Sequence, residues 1–453
     1  MSADPLLVRA VGLYGPLLLA AGLAFGSRAD RRTLAGALLG TLWNLPALLA
    51  AHLFAVAQGW WAFQPVPGAV AGFPADVWIG WAVLWGAVPV LIGRRVPVVV
   101  VVAVAACLDV VLMPACAPLL QLGPRWGYGE AVAVGVALVP GALLARWTAD
   151  DRRLAARAAL QVACFAALTV WFGSGLGLHA DGGSWAQLLD RPRWVLSSGA
   201  QLLLPIAAIA LTAVIEFAQR GGGTPFPYDP PRRLVTTGPY SYVANPMQLG
   251  LVLVLLGWAA LLGSLGTAAG AMLGAVFAVG MAGWHEGEQL RARYGGRWRA
   301  YRRAVRPWWP RWRPYVSTPA TLYVGFDCEV CSPVGRWVAA RDPRGLALAD
   351  AAAWPGPNPL RRATYLGADG HREEGVRAVA RALEHVHLGW AVAGWVLRLP
   401  VLASGVQVLI DACGGGPREI APMRVSPPHT TTHAVADASA TLPAATDAAM
   451  PGS

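Results

Sequence analysis

Nine apolar runs dominate this chain, at roughly 6–25, 34–57, 77–93, 96–120, 129–147, 154–173, 195–217, 246–262 and 265–284. A run of about 20 apolar residues matches the thickness of a bilayer's hydrocarbon core, and in lipid the backbone of such a run must satisfy its own hydrogen bonds. The fold class predicted is therefore an all-α polytopic membrane protein of about nine transmembrane helices. The first run alone would also suit a signal peptide, but the eight that follow exclude that reading of the whole. Only Gly263-Ser264 separates the last two runs, which predicts a terminal helical hairpin. Charged residues make up 13% of the chain, against about 25% in soluble domains.

The formal charge of +11 is carried entirely by arginine, since the chain contains no lysine. Arg28, Arg31 and Arg32 follow the first run, Arg94 and Arg95 the third, Arg146, Arg152, Arg153 and Arg157 the fifth, and Arg232 and Arg233 the seventh. The intervening loops hold none at 58–76, Arg125 alone in the next, and Arg191 and Arg193 in the third. Basic loops retained on the cytosolic side predict a multi-pass protein of the cell (inner or plasma) membrane, N-terminus outside and C-terminus in the cytosol. This is a topology signal, and no nucleic-acid partner is expected. It places loop 218–245 and tail 285–315 on one side, flanking the hairpin. The domain division expected is 1–217, a bundle of unknown role; 218–315, a module containing the hairpin; 320–412, a small C-terminal α/β domain; and 421–453, an Ala/Pro/Thr-rich disordered tail.

The stretch Pro231–Pro246 is polar, punctuated by Pro and Gly, and leads directly into an apolar run. Asn245 is placed to cap the following helix, and the exposed N–H groups of that helix start suit a carboxylate. After the hairpin come His285, Glu286 and Glu288, then the aromatic and basic run Tyr294-Gly-Gly-Arg-Trp298-Arg-Ala-Tyr301-Arg302-Arg303. Read from composition alone, this run serves equally as an aromatic-Arg belt at the membrane interface.

Together, Leu234-Val-Thr-Thr-Gly-Pro-Tyr-Ser-Tyr-Val-Ala-Asn-Pro-Met-Gln-Leu-Gly250 and Glu286…Leu290…Tyr294-Gly295…Trp298…Tyr301…Val305…Pro310 resemble the isoprenylcysteine carboxyl methyltransferase and phospholipid N-methyltransferase superfamily, over about residues 225–312. The resemblance implies an S-adenosylmethionine-dependent methyltransferase acting on a hydrophobic or lipid-like acceptor. It implies cofactor contacts from Gly238, Pro239, Tyr240, Tyr242, Asn245, Pro246, Glu286, Glu288 and Tyr294, and acceptor positioning by Trp298, Tyr301 and Arg302. Ala244 stands where the family usually has Arg, Gln248 where it often has Tyr, and Gly287 where a second Glu is expected, with Glu288 one place displaced. Methyl transfer from a sulfonium needs alignment and exclusion of water rather than a metal, and none is expected.

Thr321–Cys331 reads as a strand entering a helix through Cys328-Glu-Val-Cys331, with Cys328 near the helix N-terminus, where a thiol pKa falls. Zinc would require two further ligands from Cys413, His371, His385 and His387, which form no second pair. Region 320–412 resembles the DCC family of thioredoxin-like thiol–disulfide oxidoreductases, which implies redox roles for Cys328 and Cys331. Within the apolar runs, His52 and Glu216 sit near run ends, where snorkelling suffices, and Asp109 is the one deep carboxylate. Two other readings stay open: a nicotinamide-dependent membrane reductase of the sterol-reductase type, and a non-catalytic carrier or redox partner.

Overall fold

The computed structural model describes residues 4–93, 96–117, 119–325 and 331–417, without the side chains of 281–286 and 331–332. Among the described residues, six helices are long and apolar enough to cross a membrane: Pro5–Gly26, Arg31–Ala57, Val98–Ala115, Trp126–Asp150, Leu154–Ala180 and Arg193–Gly221. Three of the apolar runs form shorter helices, Ala75–Leu91, Pro246–Leu262 and Leu265–Gly280. The protein is thus a helical, multi-pass membrane protein. Pro5–Gly26 has no buried residue, and Leu6, Leu7, Val11 and Leu18 all point outward, as expected where the surrounding solvent is lipid.

Close approach of backbones holds the first half together, which is how helices associate where lipid removes any hydrophobic drive between them. A Cβ at Gly36 would strike the Ala145 carbonyl, and one at Gly40 the Gly86 carbonyl. At one end of the bundle, Trp61–Phe63 pairs antiparallel with Leu120–Leu122. Ion pairs tie the other, Arg-rich end: Asp151 meets Arg32 (2.8 Å), Arg157 (3.1 Å) and Arg232 (2.5 Å), and the buried Arg157 also reaches Asp229 at 2.8 Å. Loop 222–245 is thereby fastened to the first half of the chain.

The hairpin turns at Gly263, whose φ of +66° favours glycine. Ser264 caps the helix that follows, accepting from Thr267 N at 3.0 Å. Asp181 in turn accepts from Ser264 Oγ at 2.6 Å.

Beyond Pro314 lies a four-stranded sheet ordered Leu346–Asp350, Ala320–Val324, Thr364–Gly367, Arg372–Glu374. The first pair is parallel, joined through helix Cys331–Ala339, and the other two pairings are antiparallel. This domain is not a separate soluble appendage. Its apolar helix Leu388–Leu397 packs on Arg193–Glu216, with Thr212 Oγ1 donating to the Trp395 carbonyl at 3.1 Å. Helix Leu388–Leu397 meets Pro400–Gly415 at 85°, a broken apolar pair long enough together to count as a further span or a re-entrant element.

Glu216 does not snorkel. It is fully buried, accepting from Arg381 at 2.6 and 3.0 Å and from Arg398 at 3.2 Å. The same two guanidiniums also hold Glu384 (3.0 and 2.8 Å) and Glu373 (3.2 and 3.4 Å). His52 is likewise buried, with Trp61 Nε1 donating to its Nδ1 at 3.3 Å. Both departures have one cause: a residue near a run's end snorkels only where water lies beyond it, and here protein does.

Candidate functional site

At the Arg-rich end, loop 222–245 and the segment after the hairpin run side by side. Ala244 N donates to the Arg306 carbonyl at 2.9 Å, Asn245 N to Pro307 at 3.2 Å, Arg311 N to Tyr242 at 3.0 Å and Tyr315 N to Ser241 at 2.8 Å. Beside this ladder opens a cleft of about 570 Å³, within the roughly 300–1,000 Å³ usual for ligand sites. Asn245, Glu288, Trp298 and Arg302 all line it, with Arg291, Arg299 and Arg303. Asn245 thus faces one space with residues 43 and more positions further along the chain.

The lining follows from local structure. Asn245 precedes Pro246, the first residue of its helix, yet its side chain makes no capping bond. The first-turn N–H groups consequently lack the partner that an Asn cap supplies. Helix Gly283–Ala304 breaks at Gly295, with φ 50° and ψ −117°, a conformation reserved for glycine. Arg302 lies 5.6 Å from the Trp298 ring and donates to the Val305 carbonyl at 2.9 Å. Four arginines against Glu288 leave the cleft strongly positive, which suits an anionic group such as a carboxylate or phosphate.

The other residues carried by the resemblance lie behind the cleft wall. Gly238 has φ +61°, and a Cβ there would sit 3.1 Å from the Glu216 carboxyl carbon. Pro239 accepts from Tyr242 N and Val243 N at 3.1 Å, closing a tight turn. Tyr240 packs on Phe217. Tyr242 is fully buried and donates to the Glu384 carbonyl at 2.9 Å, while Tyr301 donates to the Tyr240 carbonyl at 2.8 Å. Burial pushes both phenols well above their usual range, so they remain protonated donors. Tyr294, half-buried, donates to the Pro231 carbonyl at 2.6 Å. Pro246 starts its helix and is not part of the cleft lining. Glu286 lies two residues before Glu288 on the same helix, but its side chain is outside the described residues. Cys328 also lies outside them, as does the Cys331 side chain at the start of Cys331–Ala339, and the 418–453 tail. Among the described residues, no three His, Cys, Asp or Glu converge as a metal site.

Sequence reasoning overlooked Arg291, Arg299 and Arg303 as cleft residues. The signal was local: 288 and 291 share a face before the break at Gly295, and 299, 302 and 303 share one after it. No local pattern pointed to the Glu216–Arg381–Arg398 cluster.

Fold and site together define a multi-pass membrane protein with a basic cleft at the foot of a terminal helical hairpin. Residues 200–297 match the model of the phospholipid methyltransferase family, a family of membrane methyltransferases. The match covers most of the Arg193–Gly221 helix, the following loop, the hairpin and the helix that lines the cleft as far as Arg297. No curated protein and no solved structure matches the chain significantly.

Proposed function

We propose that the chain is an S-adenosylmethionine-dependent methyltransferase whose cofactor occupies the cleft at Asn245, Glu288 and the surrounding arginines, and whose acceptor is a hydrophobic molecule bearing an anionic group. The observation that carries this reading is that Asn245, before the hairpin, and Glu288, Trp298 and Arg302, after it, line the same space. The match over residues 200–297 supports the reaction class.

The bound cofactor supplies an activated methyl group on a sulfonium. The residues present fit it: the uncapped start of helix Pro246–Leu262 and the cluster Arg291, Arg299 and Arg303 suit its carboxylate, and Glu288, with Glu286 beside it in sequence, suits its ammonium or ribose hydroxyls. Trp298, held against Arg302, forms an apolar wall beside the membrane hairpin, where a lipid chain enters sideways and water is excluded. The remaining cleft arginine, Arg302, orients a phosphate or carboxylate on the acceptor, which favours a phospholipid or a prenylated carboxyl compound. Tyr240, Tyr242, Tyr301, Gly238 and Pro239 act through position, holding the loop that presents Asn245; Tyr294 anchors the helix to Pro231.

In this reading the Arg-rich end faces the cytosol of the cell membrane, so that the cofactor reaches the cleft from water. Reporter fusions at residues 65 and 315 then read opposite sides. The C-terminal domain is assigned to the thioredoxin-like DCC group on its parallel strand–helix–strand unit flanked by an antiparallel hairpin, with Cys328 and Cys331 as its redox pair.

The deciding experiment combines purified full-length protein, methyl-labelled cofactor and a membrane lipid extract, followed by identification of the labelled product. Label transferred to a lipid by the natural protein and lost in Asn245→Ala supports the assignment. No transfer, with NADPH rather than S-adenosylmethionine raising the melting temperature, would replace it with the reductase reading.

A further inference from the structure

We propose that the second arm of the bent helix pair, Pro400–Gly415, lies in the plane of the membrane and seats one apolar face among the phospholipid chains of the leaflet at the Arg-rich end. The partner is the lipid leaflet itself, and the proposal does not depend on the methyltransferase reading.

The two sides of this arm differ along its whole length. Val401, Leu402, Val408 and Leu409 are exposed, Val401 to 88%. With Gly405 and Ala412 they recur at positions i, i+1, i+4, i+7, i+8 and i+11, which makes one continuous stripe on a helix. No charged or amide side chain interrupts it. Ser404, at its margin, donates its hydroxyl to the Pro400 carbonyl of the same helix at 2.8 Å. The opposite side is polar and fastened to the C-terminal domain. Gln407 Oε1 accepts from Val376 N at 2.9 Å, and its Nε2 donates to Asp411 at 2.8 Å. Arg362 in turn donates to Asp411 at 2.8 Å. Ser404 and Gln407 also line a cleft of about 820 Å³ with Arg362, Arg372, Glu374 and Arg377. A helix with charges along one flank and none along the other suits the boundary between water and lipid. An arm that crossed the membrane would carry Gln407, Asp411 and its partner Arg362 into hydrocarbon, at high cost.

The neighbours of the arm place it at that boundary. Thr212 meets Trp395 and Glu216 meets Arg398, so the first arm advances alongside the Arg193–Gly221 span towards its Arg-rich end. The bend of 85° then turns the second arm across that direction. Gln219, nearly one turn beyond Glu216, lines the charged cleft with Ser404 and Gln407. The polar flank therefore looks outward, past the end of the span, and the open stripe looks back towards the lipid that surrounds the span.

The test uses the full-length protein in phosphatidylcholine vesicles doped with a phosphatidylcholine that carries a photoreactive diazirine either near the glycerol or at the end of its acyl chain. After irradiation, the tryptic peptide 399–418 is read by mass spectrometry. The probe near the glycerol should label this peptide about threefold or more above the chain-end probe, at Val401, Leu402, Val408 or Leu409. Leu202 and Leu204, exposed halfway along the Arg193–Gly221 span, should show the reverse preference. Val408→Glu puts a charge in the stripe without touching the polar flank and should reduce labelling severalfold, whereas Arg377→Glu, across the cleft, should leave it unchanged. Should Val408→Glu fold poorly, the depth preference of the natural protein still decides. Heavier labelling of the peptide by the chain-end probe would make the arm a membrane-crossing element and overturn the proposal. So would a peptide free of lipid label while Leu202 and Leu204 are labelled, the result expected if a second copy of the chain covers the stripe.

Discussion

Arg381→Met is the substitution that most directly tests how the two halves of this protein are joined. The Arg381 guanidinium is 2% exposed and contacts three carboxylates, Glu216 at 2.6 Å, Glu384 at 3.0 Å and Glu373 at 3.2 Å. Removing one member of a buried pair leaves an uncompensated charge and costs about 3–5 kcal/mol. Glu216 keeps Arg398 at 3.2 Å and Arg220 at 3.8 Å, which puts the expected cost near the lower end, about 3 kcal/mol. If that cost falls on the docked state, the undocked population rises about 150-fold. Chymotryptic cleavage after Tyr315, in the segment between bundle and domain, reports that opening when cleavage is slow relative to redocking. Glu216→Gln combined with Arg381→Met should cost less than the sum of the two single changes, by about 2 kcal/mol, since the pair interacts directly. A cleavage rate raised less than fivefold, or strictly additive effects, would refute a docking role for the cluster.

Acid should loosen the same joint. Burial raises the Glu373 pKa, but its hydrogen bond to His371 and the charges of Arg398 and Arg381 outweigh this and hold it at about 2, below its ordinary 4.5. A depressed carboxyl pKa gives stability that is complete above the unfolded value and is lost as pH falls from 4.5 towards 2, so Tyr315 cleavage by an acid-stable protease should accelerate across that window and stay flat from pH 5 to 8. Asn245→Ala should weaken S-adenosylmethionine binding by about 1.5–3 kcal/mol, roughly 10- to 150-fold, with little change in melting temperature because the side chain caps nothing; isothermal titration with a thermal scan reads both. Gly238→Ala should instead cost about 1–3 kcal/mol of stability, from the positive φ and the approach of Glu216, and a lowered melting temperature without cofactor present is the check.

The bundle was legible because lipid imposes a simple rule: apolar length becomes helix, and Gly263-Ser264 becomes a turn. The meeting of loop 222–245 with the tail was legible too, since the alternating Arg loops put both on one side and the short hairpin keeps their ends close. What could not be read was which face each motif residue presents. Tyr240, Tyr242 and Tyr301 sit in a segment that resembles a cofactor-binding motif, yet their hydroxyls and rings face protein, a distinction set by partners such as Glu384 that lie 142 positions away. The Glu216 cluster was invisible for the same reason: its members are separated by 165 and 182 positions, and each alone reads as an ordinary charge on an amphipathic surface.

The bent helix pair at Leu388–Gly415 has a practical consequence for anyone handling this protein in pieces. Its first arm presents Ala391 and Trp395 to the bundle, where Tyr242 covers them, and its second arm leaves Val401, Leu402, Val408 and Leu409 uncovered by protein. Cut away at the strand that begins the domain, residues 320–417 would carry a greasy surface on both arms, and the Arg381 and Arg398 guanidiniums would lose Glu216. Such a fragment aggregates rather than folds, so the C-terminal domain is to be expressed, purified and titrated only together with the membrane helices that complete it.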